Sequence, residues 1–182
     1  MRALKFLRAG AVGPFSGAAW AAPGAGGEPG AWLEAGGAPS LCRAGVHACR
    51  PADLPLWICE ELWRVELGGE TVAAPDKLVA PRGRLLGRVE GWDAAAADDL
   101  AAACAARAAA LGDAGDGYAA DAAGCARDAS RQDGAPAFAA AATCAYIAAH
   151  AAAAAAGDPA AYAAERAWQS EWMAERLELS GS

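Results

Sequence analysis

The stretch "LLGRVEGWDAAAADDLAAAC", Leu85 to Cys104, contains the point at which the chain changes character. Up to Glu90 the sequence consists of Gly, Pro, Trp and short β-type runs; from Gly91 it becomes long alanine tracts punctuated by Gly and Asp. Alanine favours helix more than any other side chain, while its methyl contributes little burial per residue. We therefore expect an α+β protein. A small mixed β-sheet head with one short helix, residues 1–90, should be followed by an alanine-rich four-helix bundle, residues 91–182, packed on it around a shared core. The seven tryptophans should supply much of the bulk that alanine lacks.

Downstream of the junction, punctuation marks four helices. The first runs from about Asp93 to Leu111 and stops at Gly112. The second spans about Gly117 to Ser130 with Gly124 inside it, and the third runs from Pro136 to Gly157. The fourth begins at Asp158, an N-cap followed by Pro159 at the first helical position. Along it Ala161, Ala164, Trp168, Trp172 and Leu179 share a face at helical spacing. The helices show no fixed repeat, which argues against a tetratricopeptide-like array.

Upstream, "ALKFLR" and "AVGPFSG" flank Ala9-Gly10 as a hairpin. "PGAGGEPG" (23–30) is a loop by composition. "AWLEA" and "AGVHAC" read as short strands, Pro51 opens a short helix, "ELWRVEL" alternates as a strand ended by Gly68-Gly69, and "KLVAPRGRLLGRV" supplies one or two more.

Charge limits the partners. Residues 1–90 hold 10 Lys/Arg against 9 Asp/Glu, and residues 91–182 hold 5 against 13. An acidic helical half repels phosphate backbones, so we expect no nucleic-acid binding. Arg8, Gly13, Pro14 and Ser16 interrupt any signal-peptide core at the N-terminus, and no long apolar run rich in large side chains reads as a membrane span. A cytoplasmic location follows as the expectation, and with it free thiols for the six cysteines.

Chemistry-bearing residues concentrate between Leu41 and Glu70, with Cys42, His47, Cys49 and Cys59 close together. These are zinc-type ligands, but C-x4-H-x-C-x9-C lacks the paired knuckle that presents two thiolates from one turn, so we expect no metal and read the cysteines as packed thiols. On a strand, His47 and Cys49 share a face. A Cys49 nucleophile beside His47 needs a cationic neighbour, for which Arg43 and Arg50 are the candidates. There is no nucleophile elbow, Walker loop, dinucleotide fingerprint or H-E-x-x-H motif. His150, one turn after Tyr146, reads as a packed helix residue. "GDAGDG" (112–117) reads as an acidic rim, because the glutamate that closes a calcium loop is missing.

The segment "LCRAGVHACRPADLPLWICEELWRVELGGE", preceded by "ALKFLRAGAVGPFSG", resembles an uncharacterised bacterial and phage domain family with a G-[FV]-H-x-C segment, a short helix and an E-x-[WY]-x-V-E strand. That resemblance covers roughly residues 1–90 and implies no established activity. The strand motif around Gly45, Val46, His47 and Cys49 is also similar to the middle motif of ADP-ribosyltransferase-like folds. On that similarity these residues would line a nicotinamide-side pocket, with Trp57 as the stacking aromatic and Glu61 or Glu66 as the catalytic glutamate. "DPAAYAAERAW" is loosely similar to alanine-rich immunity-type proteins of actinobacteria.

The resulting expectation is a site at the seam of the two halves. His47, Cys49 and Glu61 would be its catalytic candidates, and Arg43, Arg50, Trp57 and Trp63 would hold a small-molecule or nucleotide-like ligand, with no cofactor named. The alternative is a non-catalytic interaction module whose acidic helical face meets a basic protein partner.

Overall fold

The structure, a computed structural model, describes residues 1–41, 43–111 and 116–179. The protein is α+β. It divides into two compact units at the predicted junction: Met1–Glu90, joined by Leu179 from the far end of the chain, and Gly91–Glu178.

The first unit contains strands β1 (Arg2–Leu7), β2 (Leu33–Glu34), β3 (Val46–Ala48), β4 (Glu61–Gly68), β5 (Val72–Ala73), β6 (Leu78–Ala80) and β7 (Arg82–Arg88). The single mixed sheet expected from sequence is instead two sheets, ordered β1-β4-β7-β2 and β3-β6-β5. Every pairing among the described strands is antiparallel. Pro81 is the physical reason for the division. It lacks an N–H for a ladder and bends what would be one continuous strand into β6 and β7. Hydrogen bonds then run round a ring of strands: β1 to β4, β4 to β7, through the bend to β6, and β6 to β3. The ring returns to β1 where Leu4 and Cys49 exchange backbone bonds of 2.9 and 2.7 Å. Inside it pack Leu7, Trp20, Val46, Ala48, Trp63, Val65, Leu67 and Leu85.

The hairpin expected at Ala9-Gly10 is only a turn. Arg8 pairs with Val12, but β1 takes β4 as its partner along its whole length. Gly13, Pro14 and Gly17 fold the returning segment into a tight loop, in which Gly13 N–H donates to Ala18 O and Gly17 N–H to Gly13 O. The helix opened by Pro51 is 3-10, over Pro51–Leu56.

The second unit contains α1 (Ala94–Ala109), α2 (Asp116–Arg131), α3 (Ala135–Ala156) and α4 (Pro159–Arg176), each within a residue or two of its expected limits. Asp93 and Asp158 cap α1 and α4 through Ala96 N–H (2.9 Å) and Ala160 N–H (2.8 Å). Gly157, in the left-handed region at φ 62°, ends α3. By length and composition α3 is the one described helix that would suffice to cross a membrane. It packs against α1, α2 and α4, burying Ala137, Ala141, Cys144, Ala145, Ala148 and Ala149.

Helix α4 departs from the expected apolar face. Ala164 is exposed and Trp168 and Trp172 are half-buried, while Glu165, Arg166, Gln169, Ser170 and Met173 turn inward. Alanine neighbours leave depth that long polar side chains fill, and each buried polar group finds a partner. Glu165 accepts from Arg107 at 2.7–3.0 Å, Arg166 donates to Gln169 at 3.0 Å, and Gln169 donates to Ala145 O at 2.9 Å. His150 lies between the rings of Tyr146 and Tyr162, with centroids 4.3 and 5.0 Å away.

Candidate functional site

The first unit holds a cavity of about 650 Å³. Its walls come from β1, the loop 13–18, Trp20, β2, β3, the end of the 3-10 helix and Lys77. All of these residues lie within the first ninety. The expected seam between the two halves is therefore not where this cavity sits, because the β-rich unit encloses it with its own residues.

Strand β3 supplies one wall, and its approach depends on Gly45. That residue has φ 126°, and a Cβ there would collide with Val79 of β6, against which β3 pairs. His47 and Cys49 both line the cavity, together with Gly45, Val46 and Trp57. Burial lowers the His47 pKa from 6.5, with Lys5 and Lys77 adding repulsion and Asp76 opposing them, so the imidazole is neutral at pH 7. Its Nε2 is buried with no hydrogen-bond partner among the described residues.

Cys49 is a structural thiol. Its Sγ donates to Leu4 O at 3.3 Å, and burial pushes its pKa to about 12 despite the nearby Lys5. A thiol in that state is not a nucleophile at neutral pH.

Trp57 forms an aromatic wall. Its Nε1–H donates to Asp76 O at 2.7 Å, Lys77 Nζ sits 5.0 Å over its ring, and Phe15 meets it edge-on at 6.3 Å. Phe15 is 87% exposed, a large apolar ring on the rim of a concavity.

The remaining sequence candidates lie elsewhere. Glu61 is buried, and its carboxylate accepts from Gly10 N–H (3.1 Å), Ala11 N–H (3.0 Å) and Trp63 Nε1–H (3.0 Å). It holds the turn after β1, where Ala11 adopts φ 57°, a strained value for a residue with a side chain. Trp63 packs in the ring core. Glu66 pairs with Arg84 at 2.6 Å. Arg50 is engaged by Asp53 (2.7 and 2.9 Å) and by the carbonyls of Ala74 and Pro75 (2.9 and 2.8 Å), tying the 3-10 helix to the β5–β6 turn. Arg43 is exposed on the loop before β3. None of Arg43, Arg50, Glu61 or Trp63 lines the cavity, so neither carboxylate proposed on the transferase resemblance faces it.

Among the described residues no group of three His, Cys, Asp or Glu is placed to hold a metal ion. Cys42, one of the four zinc-type residues, and most of "GDAGDG" lie outside the described residues.

Sequence reasoning missed Lys5. It sits at the centre of β1 opposite Trp63, on the ring's inner side, with Nζ 2.6 Å from His47 O and 5.3 Å from the Trp20 ring centroid. No carboxylate pairs with it among the described residues, and burial lowers its pKa to about 8. The signal was present: "ALKFL" places one charge in an otherwise apolar strand, at a position whose alternation points inward. Comparisons with protein-family models, with characterised proteins and with solved structures return no match for this chain.

Proposed function

We propose that the β-rich unit is a binding module for a flat, nucleotide-like or other aromatic small molecule. The observation that carries this reading is the cavity of about 650 Å³, lined by Phe6, Phe15, Trp20 and Trp57, with Lys5, Glu34, His47 and Lys77 among its ionisable groups. That size and that mixture of apolar wall and few polar groups suit a ligand of drug or mononucleotide dimensions. Trp57 offers a ring face to stack on, and Lys77 offers an ammonium near an anionic substituent. No group-transfer step is part of the reading, because Cys49 is a buried, protonated thiol and neither Glu61 nor Glu66 lines the cavity.

Thermal shift together with tryptophan fluorescence tests this across adenine and nicotinamide nucleotides and simple aryl carboxylates. A ligand at a hundred times its Kd stabilises by about 2.7 kcal/mol, which raises Tm by roughly 5–10 °C in a chain of this size. Trp57→Ala should weaken that binding at least tenfold, while Trp172→Ala, in the helical unit, leaves it unchanged. A panel in which no compound moves Tm or fluorescence would refute the reading.

A further inference from the structure

Lysine is almost absent from this chain. Lys5 and Lys77 are the only two in 182 residues, every other basic side chain being arginine, and both line the same cavity. Arginine stays protonated in proteins, whereas lysine can lose its proton and present a nucleophilic nitrogen. Lys77 is differently placed: Asp76 lies 3.8 Å away and the Trp57 face lies beneath it. Lys5 has no carboxylate partner among the described residues. It rises from the inner side of β1 beside Trp20, half-buried, with its Nζ bonded to one backbone carbonyl.

We propose that Lys5 is a carbonyl-capturing amine, and that the cavity takes a flat aromatic or conjugated aldehyde or ketone as an imine on its Nζ. This rests on the cavity being a ligand site and names the class of ligand that it takes.

The step needs no co-reactant. A neutral Nζ keeps one N–H on His47 O and turns its lone pair to the carbonyl carbon. The C–N bond forms, the carbonyl π pair moves to oxygen, and a proton passes from nitrogen to that oxygen to give a carbinolamine. The nitrogen lone pair then forms C=N as the C–O bond breaks. The hydroxyl leaves as water with the second N–H proton, which ends the bond to His47 O, so amine plus carbonyl yields imine plus water with no change of oxidation state. Trp20 lies beside the nitrogen in a mostly apolar cavity, and desolvation there favours the neutral amine. With a pKa of about 8 the neutral fraction at pH 7 is near one in ten, against fewer than one in a thousand for a free lysine.

The test uses 4-formylbenzoate as probe and 4-(hydroxymethyl)benzoate as the carbonyl-free control, with cyanoborohydride trapping and peptide mass spectrometry on the full chain. Lys5 should be the main adduct, at least tenfold over Lys77 and the Met1 amine, and absent in Lys5→Arg and Lys5→Met. The initial trapping rate at Lys5 should climb more than tenfold from pH 6.5 to 8 and then level, whereas an exposed lysine keeps climbing towards pH 10. Equal labelling of Lys5, Lys77 and Met1 overturns the proposal. Tryptophan quenching by both compounds with no Lys5 adduct also overturns it, yet leaves the binding module standing. Neither quenching nor adduct overturns the carbonyl-capture proposal, and the binding reading then falls only if the nucleotide and aryl carboxylate panel is silent as well.

Discussion

Lys5 makes folding and ligand chemistry compete at a single nitrogen. Its proton is held less tightly in the folded chain (pKa about 8) than in the unfolded one (about 10.5), so at pH 7 burial of the charged form opposes folding. Stability from this group therefore rises as pH passes upward through 8. Lys5→Met should be about 1–2 kcal/mol more stable than the parent at pH 7, after allowing about 1 kcal/mol for the lost bond to His47 O. In urea titrations the gap should narrow between pH 8 and 10.5, the window between the folded and unfolded values. Above 9 the buried thiols pull the other way in both proteins, because Cys49 and Cys144 are held protonated to about 12 when folded. A gap that stays constant with pH would show that Lys5 is not desolvated. Glu61 works in the opposite sense: Glu61→Ala leaves the N–H groups of Gly10, Ala11 and Trp63 without their acceptor and should cost about 2–3 kcal/mol in denaturant midpoint while sparing the cavity wall. Sequence could say that Glu61 stands at the start of a strand. It could not say that the turn fifty residues earlier would curl back onto it, since only tertiary pairing of β1 with β4 brings Ala11 there.

Elements were legible where local chemistry decides them. Asp158-Pro159 starts α4 and Gly157 stops α3 because caps act over one turn, and those limits follow from composition alone. Strand partners and inward faces were not legible, because they depend on what lies opposite. The apolar face assigned to α4 followed helical spacing, yet the alanines of α3 leave room that Glu165, Arg166 and Gln169 fill better than a stripe of Ala and Trp would. That substitution of polar packing for apolar packing makes the contact between α1 and α4 sensitive to charge. Arg107→Ala strands the buried Glu165 carboxylate and should lower helical-unit stability by about 2–3 kcal/mol, whereas Arg107→Ala with Glu165→Leu should recover most of it. A double variant as unstable as the single one would show that stacking of the Arg107 guanidinium on the Trp168 ring, 4.0 Å from its centroid, is the dominant contribution. On β3, Gly45→Ala forces a side chain into a φ of 126° against Val79 and should cost about 1–3 kcal/mol, with ligand-induced fluorescence change reduced alongside it.

For the molecule as a whole, the change of alphabet near Gly91, from glycine and tryptophan to alanine, was visible in the sequence because it needs no knowledge of contacts, and the two compact units divide there. The placement of the cavity was not, because it depends on the ring closing between Leu4 and Cys49, residues 45 positions apart with no mutual signature. Both units use cysteine as a small apolar filler: Cys49, Cys104 and Cys144 are buried, with burial raising each thiol's pKa. A disulfide-exchange reagent at pH 8 should therefore leave at least these three silent in the native protein and titrate all six after denaturation. Prompt native reaction at Cys104 or Cys144, mapped by mass spectrometry, would contradict the packed bundle. The confinement of both lysines to one concavity also has a practical side. Attaching the protein to a sensor chip, a dye or a bead through its primary amines leaves only the backbone terminus and those two positions as anchors, so routine coupling would plug the opening that the experiment was meant to interrogate, and a silent trace from such a surface would carry no information about affinity.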